Sequence, residues 1–584
     1  MVGKSLSVMS GPSGADGSFA DAREHTSELL LHDLDEGQRE AATTLRGPVC
    51  ILAGAGSGKT RTITRRIAHG INAGAYSPER ILALTFTARA AGEMKTRLRH
   101  LNAGTVEAAT FHAAALRQLT HFWPTVVGGD APRVLGGKAQ LLTEAARNLS
   151  IRVDSATLRD LAGDIEWRKV SNLSLEAYEA LTTRPSLGKL TRPQVLELHT
   201  EYERLKEDRR IIDFEDVLLL TAGLLANEEG ALMQVRERYR FFVVDEYQDV
   251  SPLQHDLLRL WLGDRRDLCV VGDANQTIYS FTGATNRYLL EFATEFPEAA
   301  VIRLDTNYRS AQPIVQIAND VMRENPGALT LSAHVQTGAK PERNEYPDDG
   351  AEARGVAAKI AREIATGTPA RDIAVLYRVN SQSAVLEQAL SDAGVSYQVA
   401  GGVRFFDMPE VKQAIMALRG AAVSITNEPL FKSVSDVVRS LGWTQDPPHA
   451  TGAVRARWEA FNALVALADS ASAGTSLREF TSELQKRQEA RHEPTLDAVT
   501  LSSIHGAKGL EWHSVYLIGL AEGLLPVSFA TSVEELNEER RVFYVGVTRA
   551  GARLTMSWAS SFGSHGGSRS RSRFLSEIDT GTHR

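Results

Sequence analysis

Short apolar runs that end in polar residues recur along the chain and predict buried parallel strands. Four of them, in chain order, are Val49–Leu52, Ile81–Thr87, Phe241–Val244 and Leu268–Val271. A strand that is apolar on both faces is typical of a parallel sheet with helices packed on either side. Because ligands gather at the carboxyl ends of such strands, we expect the polar residues after these runs to form a binding surface. The pattern predicts an α/β fold.

The strand pattern is interrupted twice by sequence with a helical period. From about 113 to 210 the chain is dense in Leu, Ala, Arg and Glu, which predicts a helical insertion. We expect Val301–Asp305 to open a second α/β unit, to which the runs Ile373–Asn380, Val499–Ile504 and Leu554–Trp558 also belong. A second, slightly shorter helical stretch runs to about Glu493.

A glycine-rich loop, Ala53-Gly54-Ala55-Gly56-Ser57-Gly58-Lys59-Thr60, connects the first strand to a helix. Its small residues let backbone N–H groups converge on phosphate oxygens, and the helix N-terminus adds a positive dipole. Lys59 supplies a cation and Thr60 a hydroxyl for Mg²⁺, although Ala53 stands where the P-loop signature starts with Gly. An ordinary Gly/Ser turn is the alternative, but the strand, loop and helix in sequence favour a nucleotide phosphate site.

Asp245 and Glu246 directly follow the run Phe241–Val244, at the place where a P-loop protein needs carboxylates. Asp245 is suited to hold Mg²⁺ through water, and Glu246 to polarise the attacking water. An isolated Asp-Glu pair is usually a solvated turn, so the interpretation depends on the P-loop. Together the two motifs predict a nucleoside triphosphatase. Just beyond them, Ser251 is expected to cap a helix that starts at Pro252.

Gln276 and two aromatic residues follow the run Leu268–Val271. Gln276 is placed to sense a γ-phosphate, and Tyr279 and Phe281 lie three and five residues beyond it. Bases stack on aromatic faces without regard to sequence, so these two rings are candidates for contact with nucleic acid. Phe86 follows a strand in the same way, although such a residue taken alone is more often part of a core.

Two polar residues leave alternatives open. Gln38 lies three residues after Asp35, so it either completes a helix capping box, which needs no ligand, or reads the edge of an adenine base. Arg309 lies just beyond the strand predicted at Val301–Asp305. It is either an arginine finger that senses a γ-phosphate or one half of a surface ion pair.

Composition constrains the function less than the motifs do. The 584 residues suggest roughly three to five domains. With a net charge of −7, any nucleic acid must be held by a local basic surface. Cys50 and Cys269 are both in apolar runs, which predicts buried thiols of a reduced cytosolic protein. Without a signal-peptide core or a run near the roughly 20 apolar residues of a membrane span, we expect a cytoplasmic protein with no membrane partner.

A series of motifs in fixed order resembles the superfamily 1A helicases, the UvrD/PcrA/Rep family, from about Leu34 to Trp558. The motifs are Gln38, Ala53–Thr60, Thr85–Thr87, Thr110–His112, Asp245–Asp249, Gly272–Tyr279, Asn307–Ser310, His505–Glu511 and Tyr544–Ala550. Gly283 and Trp512 are similar, more narrowly, to the actinobacterial branch of second UvrD-like helicases.

The resemblance implies two RecA-like P-loop motor domains, each interrupted by a mainly helical insertion, with ATP between them and Mg²⁺ as the metal. The ATP-binding residues that it implies are Gln38, Ala55, Gly56, Ser57, Gly58, Lys59, Thr60, Arg61, Tyr308 and Glu511, with Thr60 and Asp245 on Mg²⁺. The catalytic set is Lys59, Asp245, Glu246, Gln276, Arg309 and Arg549. The DNA-binding set is Thr85, Phe86, Thr110, His112, Tyr279, Phe281, Arg378, Asn380 and His505.

The predicted domain boundaries combine these motifs with the change in period along the chain. The leader is 1–30, RecA-like domain 1A is 31–112 with 213–300, and insertion 1B is 113–212. RecA-like domain 2A is 301–420 with 495–559, the short insertion 2B is 421–494, and a flexible basic Ser/Gly-rich tail is 560–584.

The resemblance implies an ATP-dependent DNA helicase that moves 3′ to 5′ on single-stranded DNA and separates strands in repair or replication. Its implied partners are single-stranded DNA, junctions with duplex, and repair or replication proteins. Where PcrA-like relatives have Trp-Arg, this chain has Phe281-Thr282, so one base platform is smaller and one cation is missing. The second insertion is short, and we expect neither the cysteine-rich element nor the C-terminal helical domain of the actinobacterial relatives. The alternative is therefore a single-stranded DNA translocase or protein-displacing factor that needs a partner to unwind duplex.

Overall fold

The computed structural model describes a chain of two compact units, Met1–Asp305 and Thr306–Arg584. The described residues are 25–153, 155–181, 187, 190–379, 382–400, 409–424, 428–445, 460–461, 464–465, 468–469, 471, 474–490, 497–528, 530–561 and 568–581. Residues 1–24 of the predicted leader, Asn380 and parts of the predicted second insertion lie outside them.

The first unit is built on one parallel sheet. Its strands are β1 (Val49–Ala53), β2 (Ile81–Thr85), β3 (Glu107–Thr110), β4 (Arg133–Val134), β5 (Ile211–Ile212), β6 (Phe241–Val244), β7 (Leu268–Gly272) and β8 (Ala300–Leu304). The sheet has the order β3-β2-β6-β7-β1-β8 with every neighbouring pair parallel, while β4 and β5 pair with each other. The four apolar runs form central strands, as predicted.

The helices of the first unit alternate with these strands or form the insertion. They are α1 (25–31), α2 (Glu36–Thr43), α3 (Lys59–Asn72), α4 (Ala88–His100), α5 (Phe111–Val126), α6 (Ala139–Asn148), α7 (Ser155–Val170), α8 (Leu175–Ala180), α9 (Arg192–Asp208), α10 (Phe214–Asn227), α11 (Glu229–Arg238), α12 (Pro252–Leu262), α13 (Arg287–Leu290) and α14 (Phe292–Glu295). The predicted cap of α12 is confirmed, because Ser251 accepts a hydrogen bond from the Gln254 N–H.

Residues of one strand alternate between two apolar cores on opposite faces of the sheet. In β1, Cys50 joins the core that includes helices α5, α10 and α12, while Val49 and Ile51 join the core with α3 and α4. This period of two explains why the runs are apolar at every position. Cys50 and Cys269 are both buried free thiols, as predicted, and burial raises the pKa of Cys50 to about 12.

Two predicted boundaries in the first unit were wrong in part. Helix α5 packs in the core of the sheet, whereas the sequence assigned 113–126 to the insertion; the insertion core comes instead from α6, α7, α8 and α9. The predicted leader also extended too far, since residues 25–31 are helical, Leu30 is buried and its carbonyl accepts a hydrogen bond from Arg65.

The second unit has a parallel sheet of its own. Its strands are β9 (Thr306–Ala311), β10 (Ser332–Val335), β11 (Glu342–Tyr346), β12 (Ile373–Tyr377), β13 (Tyr397–Val399), β14 (Val499–Ser503), β15 (Trp512–Leu517) and β16 (Ala550–Ala559). Its helices are α15 (Gln312–Met322), α16 (Asp349–Ala365), α17 (Ser383–Asp392), α18 (Pro409–Ser424), α19 (Leu430–Ser440), α20 (Leu477–Ala490), α21 (Val533–Val547) and α22 (Arg573–Gly581). The sheet order is β11-β16-β15-β12-β14-β13, all parallel, and helices α18, α19 and α20 contribute to a separate apolar core.

The structure differs from the sequence prediction at both ends of this unit. The run at Val301–Asp305 was expected to open the second unit, but β8 pairs with β1 and closes the first sheet. The predicted flexible tail contains helix α22, in which Phe574, Leu575 and Ile578 are buried and Phe574 stacks on Phe543. Among the residues that the structure describes, no helix is long and apolar enough to cross a membrane.

Candidate nucleotide and DNA sites

The glycine-rich loop follows β1 and passes into α3 at Lys59. Gly56 and Gly58 have positive φ angles of 70° and 80°, a left-handed backbone that glycine adopts without strain. Gly58 also packs against Gln38, since a Cβ there would lie 2.9 Å from Gln38 Nε2. The loop therefore brings the N–H groups of the first turn of α3 to the carboxyl end of β1, where they can bind an anion.

Lys59 has a buried Nζ that makes no hydrogen bond. It lies 3.5 Å from Glu246 Oε1, which is an ion-pair contact too long for a good hydrogen bond. Burying an ammonium group without acceptors costs free energy, and phosphate oxygens would supply them. The Lys59 Nζ is the feature that makes this loop fit a nucleoside triphosphate.

Thr60 and Asp245, the two predicted Mg²⁺ ligands, lie side by side. Thr60 Oγ1 donates to Asp245 Oδ2 over 3.5 Å. Burial, and then the carboxylate of Glu246, raises the pKa of Asp245 to about 7. A divalent cation would stabilise the ionised form. Mg²⁺ at such sites needs only one or two protein ligands because phosphates and water supply the others, so this pair fits the metal.

Glu246 has an unusual backbone for a residue with a side chain. Its φ of 54° and ψ of 43° are left-handed, and such residues persist where their surroundings hold them, often at functional sites. The Glu246 N–H donates to Asp245 Oδ1 over 3.0 Å, and its carboxylate accepts a hydrogen bond from the Gln248 amide. With Lys59 beside it, the carboxylate is placed as a base for a water near a phosphate.

The turn after β7 brings Gln276 to the same edge of the sheet. Asp273 organises this turn, because its Oδ2 accepts from Gln276 Nε2 over 2.8 Å. The Asp273 N–H in turn donates to Gln248 Oε1 over 3.0 Å. Since β6, β7 and β1 are neighbours in the sheet, the structure brings Lys59, Asp245 and the Gln276 turn together.

Gln38 forms the predicted capping box, which is confirmed. The Gln38 N–H donates to Asp35 Oδ1 over 2.7 Å, and Gln38 Oε1 accepts from the Asp35 N–H over 3.4 Å. The amide also reaches the phosphate loop, because Nε2 donates to the Ser57 carbonyl over 2.9 Å. Contact with adenine stays a prediction. Nearby, the guanidinium of Arg61 donates to the Asp33 carbonyl over 2.8 Å.

Three of the predicted nucleotide residues meet within the second unit. Arg309 Nε donates to Glu511 Oε2 over 2.5 Å and its Nη1 to the Thr548 carbonyl over 3.1 Å. Arg549 is buried, with Nη1 donating to the Leu510 carbonyl over 3.1 Å. The ion-pair alternative for Arg309 is thus present, and its role as a finger stays a prediction. Tyr308 lies with its ring centroid 4.9 Å from that of His334.

The aromatic residues predicted to bind DNA form a cluster in the first unit. The rings of Phe86 and Tyr279 stack at 5.4 Å with an interplanar angle of 11°, and Phe281 meets Tyr279 edge-on at 6.1 Å. Phe281 is 63% exposed and Phe86 is 40% exposed. Exposed rings of this kind offer faces on which bases can stack.

A second aromatic pair includes a residue that the sequence interpretation missed. His112 stacks on Phe214 at a centroid distance of 3.9 Å, and Phe214 is 52% exposed. Burial, and then the nearby Lys138, lowers the pKa of His112 to about 4, so the ring is neutral at physiological pH. Phe214 follows the cap residue Asp213 of α10, and an aromatic residue at an exposed helix start is the sequence signal that could have identified it.

The two threonines predicted to contact DNA have local roles in the structure. Thr110 Oγ1 accepts from the Ala113 N–H over 3.1 Å and so caps α5. Thr85 is 1% exposed at the end of β2, and its hydroxyl makes no hydrogen bond. The structure does not bring the Thr85 side chain to the surface beside Phe86.

In the second unit, Arg378 forms a bidentate ion pair. Its Nε and Nη2 contact Glu539 Oε1 over 3.1 Å and 2.7 Å. Burial, followed by the charges of Arg378 and Lys508, lowers the pKa of His505 to about 4. Asn380 lies outside the described residues, so its predicted DNA contact stays a prediction, as do those of Arg378 and His505.

A phosphate loop on one parallel strand, with carboxylates and a glutamine on the two strands beyond it, defines a P-loop nucleotide-binding protein. The UvrD/REP helicase N-terminal domain model matches residues 34–297, and the UvrD-like helicase C-terminal domain model matches residues 302–445 and 449–561. The chain therefore belongs to the UvrD/REP helicase family, and the two α/β motor units expected from the resemblance are confirmed.

Curated relatives match along most of their length. The chain is 47% identical to the ATP-dependent DNA helicase UvrD2 of Mycobacterium tuberculosis (strain ATCC 25618 / H37Rv) over 578 residues, covering 94% of this chain and 82% of that protein. It is 28% identical to the ATP-dependent DNA helicase PcrA of Staphylococcus aureus (strain NCTC 8325 / PS 47) over 647 residues, covering 94% of this chain and 86% of that protein. The predicted similarity to both branches of the family is confirmed.

Proposed function

We propose that this chain is an ATP-dependent DNA helicase that moves 3′ to 5′ along single-stranded DNA, using Mg²⁺, in DNA repair or replication. The observation that carries the proposal is the Nζ of Lys59, which is buried and makes no hydrogen bond. It lies in the same site as Thr60, Asp245 and Glu246. The names of the relatives, both ATP-dependent DNA helicases, support the same assignment.

Within the proposed site, each residue has a distinct task. The N–H groups of the loop and Lys59 bind the β- and γ-phosphates, while Thr60 and Asp245 hold Mg²⁺. Glu246 accepts a proton from the attacking water, and Gln276 senses the γ-phosphate. Mg²⁺ supplies charge neutralisation of the phosphates when it is bound.

The second unit is proposed to contribute the remaining nucleotide contacts. Arg309 and Arg549 supply positive charge to the γ-phosphate, Tyr308 stacks on the base and Glu511 approaches the ribose. Arg309 is already held by Glu511 and the Thr548 carbonyl. An arginine oriented in this way loses less side-chain freedom when it engages a phosphate.

We propose that single-stranded DNA binds to the aromatic cluster Phe86, Tyr279 and Phe281. The pair His112 and Phe214 is proposed as a second place of contact. The exposed faces of Phe86, Phe281 and Phe214 suit stacking rather than reading of base edges. This predicts binding with little sequence preference. Contacts from phosphates to lysine and arginine would add affinity that falls with salt.

Replacing Lys59 with alanine tests the proposal. We expect DNA-stimulated ATP hydrolysis to fall by at least about a hundredfold, because the phosphate loses its buried cation. Hydrolysis is measured with saturating single-stranded oligonucleotide and Mg²⁺. Lys340→Ala, which removes an exposed lysine of the second unit, is the matched control and should leave the rate within twofold. Activity of Lys59→Ala near that of the unmodified chain would refute the assignment.

A further inference from the structure

Gln248 joins two parts of the first unit that the proposed function treats separately, the catalytic base and the turn that carries Gln276. The residue is fully buried in a short helical turn after β6, at Tyr247–Asp249. Its amide nitrogen donates to Glu246 Oε2, and its amide oxygen accepts from the Asp273 N–H over 3.0 Å. One side chain thus contacts the ends of two neighbouring strands.

The orientation of the Gln248 amide is fixed by these partners. A carboxylate can only accept, and a backbone N–H can only donate, so Nε2 must face Glu246 and Oε1 must face Asp273. The space is also tight, because a Cβ on Gly272 would lie 2.5 Å from Gln248 Oε1. Thr277 Oγ1 donates a hydrogen bond to the backbone carbonyl of Gln248 over 3.4 Å. A shift of the turn after β7 would therefore move the amide.

The same turn continues to the aromatic cluster. Asp273 Oδ2 accepts from Gln276 Nε2 over 2.8 Å, and Tyr279, three residues further on, stacks on Phe86. In the proposed function a base stacks on this cluster, which is at the far end of the same turn. A continuous set of hydrogen bonds then leads from the turn through Gln248 to Glu246.

We propose that Gln248 is a positioning residue that aligns the Glu246 carboxylate according to the state of the turn at Asp273–Tyr279, and so links single-stranded DNA on the aromatic cluster to the rate of hydrolysis. The inference rests on the proposed function, in which Glu246 is the base. Glu246 needs such a partner because its left-handed backbone does not by itself fix where the carboxylate points. Lys59 Nζ lies 3.5 Å from the other oxygen, Oε1.

Two substitutions separate positioning from packing. Gln248→Met keeps the length of the side chain but removes both hydrogen bonds. Gln248→Glu keeps the shape, and when its carboxyl is protonated the group still offers one donor and one acceptor, as the amide does. When it is ionised it can only accept and repels the nearby carboxylate of Glu246. The matched control is Gln254→Glu, since Gln254 caps α12 through its Oε1, which a glutamate retains.

The experiment measures ATP hydrolysis by the full chain from pH 6 to pH 8.5, with and without saturating oligo-dT, together with the affinity for ATP and for the oligonucleotide. For Gln248→Met we expect DNA-stimulated kcat to fall at least tenfold while both affinities stay within about twofold. For Gln248→Glu we expect a similar loss at pH 8.5 that recovers at least threefold toward pH 6, relative to the unmodified chain and to Gln254→Glu at each pH.

The outcomes distinguish a failure of this inference from a failure of the proposed function on which it rests. Stimulated kcat of Gln248→Met within twofold of the unmodified chain, or equal losses in both variants without recovery at pH 6, would overturn the positioning role. If Gln248→Met does not fold, the pH dependence of the near-isosteric Gln248→Glu decides alone. Glu246→Gln is measured in parallel: hydrolysis that survives that change refutes Glu246 as the base, whereas its loss beside an active Gln248→Met refutes only the role of Gln248.

Discussion

The position of Tyr279 is compatible with two roles, packing in the core and binding of DNA. Burial raises the pKa of its hydroxyl to about 12, and one face of its ring is covered by Phe86. Phe281 beside it is 63% exposed. The ring is therefore half-buried and held at a fixed tilt, which lowers the conformational entropy lost when a base stacks on it.

Tyr279→Ala should weaken binding of single-stranded DNA by about 1 to 3 kcal/mol, the usual loss for one stacked base. Affinity for ATP should stay nearly unchanged, because the ring packs with Phe86 and Phe281 in the aromatic cluster. Fluorescence anisotropy of a labelled oligonucleotide and titration with a fluorescent ATP analogue measure the two. Phe431→Ala, at an aromatic residue 49% exposed on α19, is the control. Equal loss of both affinities would show that Tyr279 belongs to the core.

Some residues of the site could be identified from sequence and some could not. Lys59, Thr60 and Asp245 stand at fixed offsets from a strand that is visible in the apolar pattern. The left-handed backbone of Glu246 could not be predicted from the sequence. A positive φ is expected at glycine, and most of the described positions with a positive φ are glycine. Phe214 was missed because its partner His112 lies about a hundred residues earlier, and only folding brings the two rings together.

At the scale of elements, local pattern located strands but not their partners. The run at Val301–Leu304 is a strand as predicted, yet periodicity does not say which sheet a strand joins, and β8 pairs with β1. Helix α22 was hidden by the Ser, Gly and Arg residues before it. Its apolar positions Phe574, Leu575 and Ile578 fall on one face at helical spacing.

The insertion and the sheet of the first unit are joined by a buried cluster of charges at the start of α10. Lys169 Nζ lies 2.7 Å from both Asp213 Oδ2 and Asp216 Oδ1, and 2.9 Å from Glu203 Oε1. Lys206 Nζ contacts the same three carboxylates. Burial alone would raise the pKa of Asp213, but the two lysines lower it below its usual range. Asp213 therefore stays ionised, and as the cap residue of α10 it fixes the helix start that carries Phe214.

Removing one cation from this cluster should be costly. Lys169→Met leaves the buried carboxylates of Asp213 and Asp216 and the partly exposed carboxylate of Glu203 with a single lysine, and breaking a buried ion pair in this way costs about 3 to 5 kcal/mol. We expect the denaturant concentration at the midpoint of unfolding of the first unit to decrease by an amount that corresponds to this loss of stability. The control is Arg287→Met, since Arg287 and Glu291, with which it forms an ion pair, are 71% and 55% exposed and an exposed pair contributes at most about 1 kcal/mol. Equal shifts for the two variants would contradict the special cost of the buried cluster.

For the molecule as a whole, binding of DNA must overcome an acidic balance. Asp and Glu together number 72 against 65 Lys and Arg, so attraction to DNA depends on where the basic residues lie. Helix α4 starts directly after Phe86 and Thr87. It contains the basic residues Arg89, Lys95 and Arg99. Basic side chains next to the aromatic cluster would guide the phosphate backbone to the rings.

Direction of movement and independence of a partner are properties of the whole chain, and tailed duplexes test both. We expect the purified chain with ATP and Mg²⁺ to separate a duplex that carries a 3′ single-stranded tail and to leave a 5′-tailed duplex intact. A motor that binds single strands on stacked rings needs such a tail to load. Lys59→Ala on the same duplexes is the control for ATP dependence, and blunt duplex is the control for loading.

The opposite polarity would contradict the 3′-to-5′ proposal while leaving the nucleotide site in place. Failure on both tailed duplexes, together with ATP-driven displacement of streptavidin from the 5′ end of a biotinylated single strand, would favour the translocase that needs a partner. That outcome has a physical basis in the second unit. The described residues of its helical insertion belong to one apolar core, to which α18, α19 and α20 contribute. The predicted insertion, 421–494, is short, and a shorter insertion offers less surface with which to hold a duplex while the motor advances.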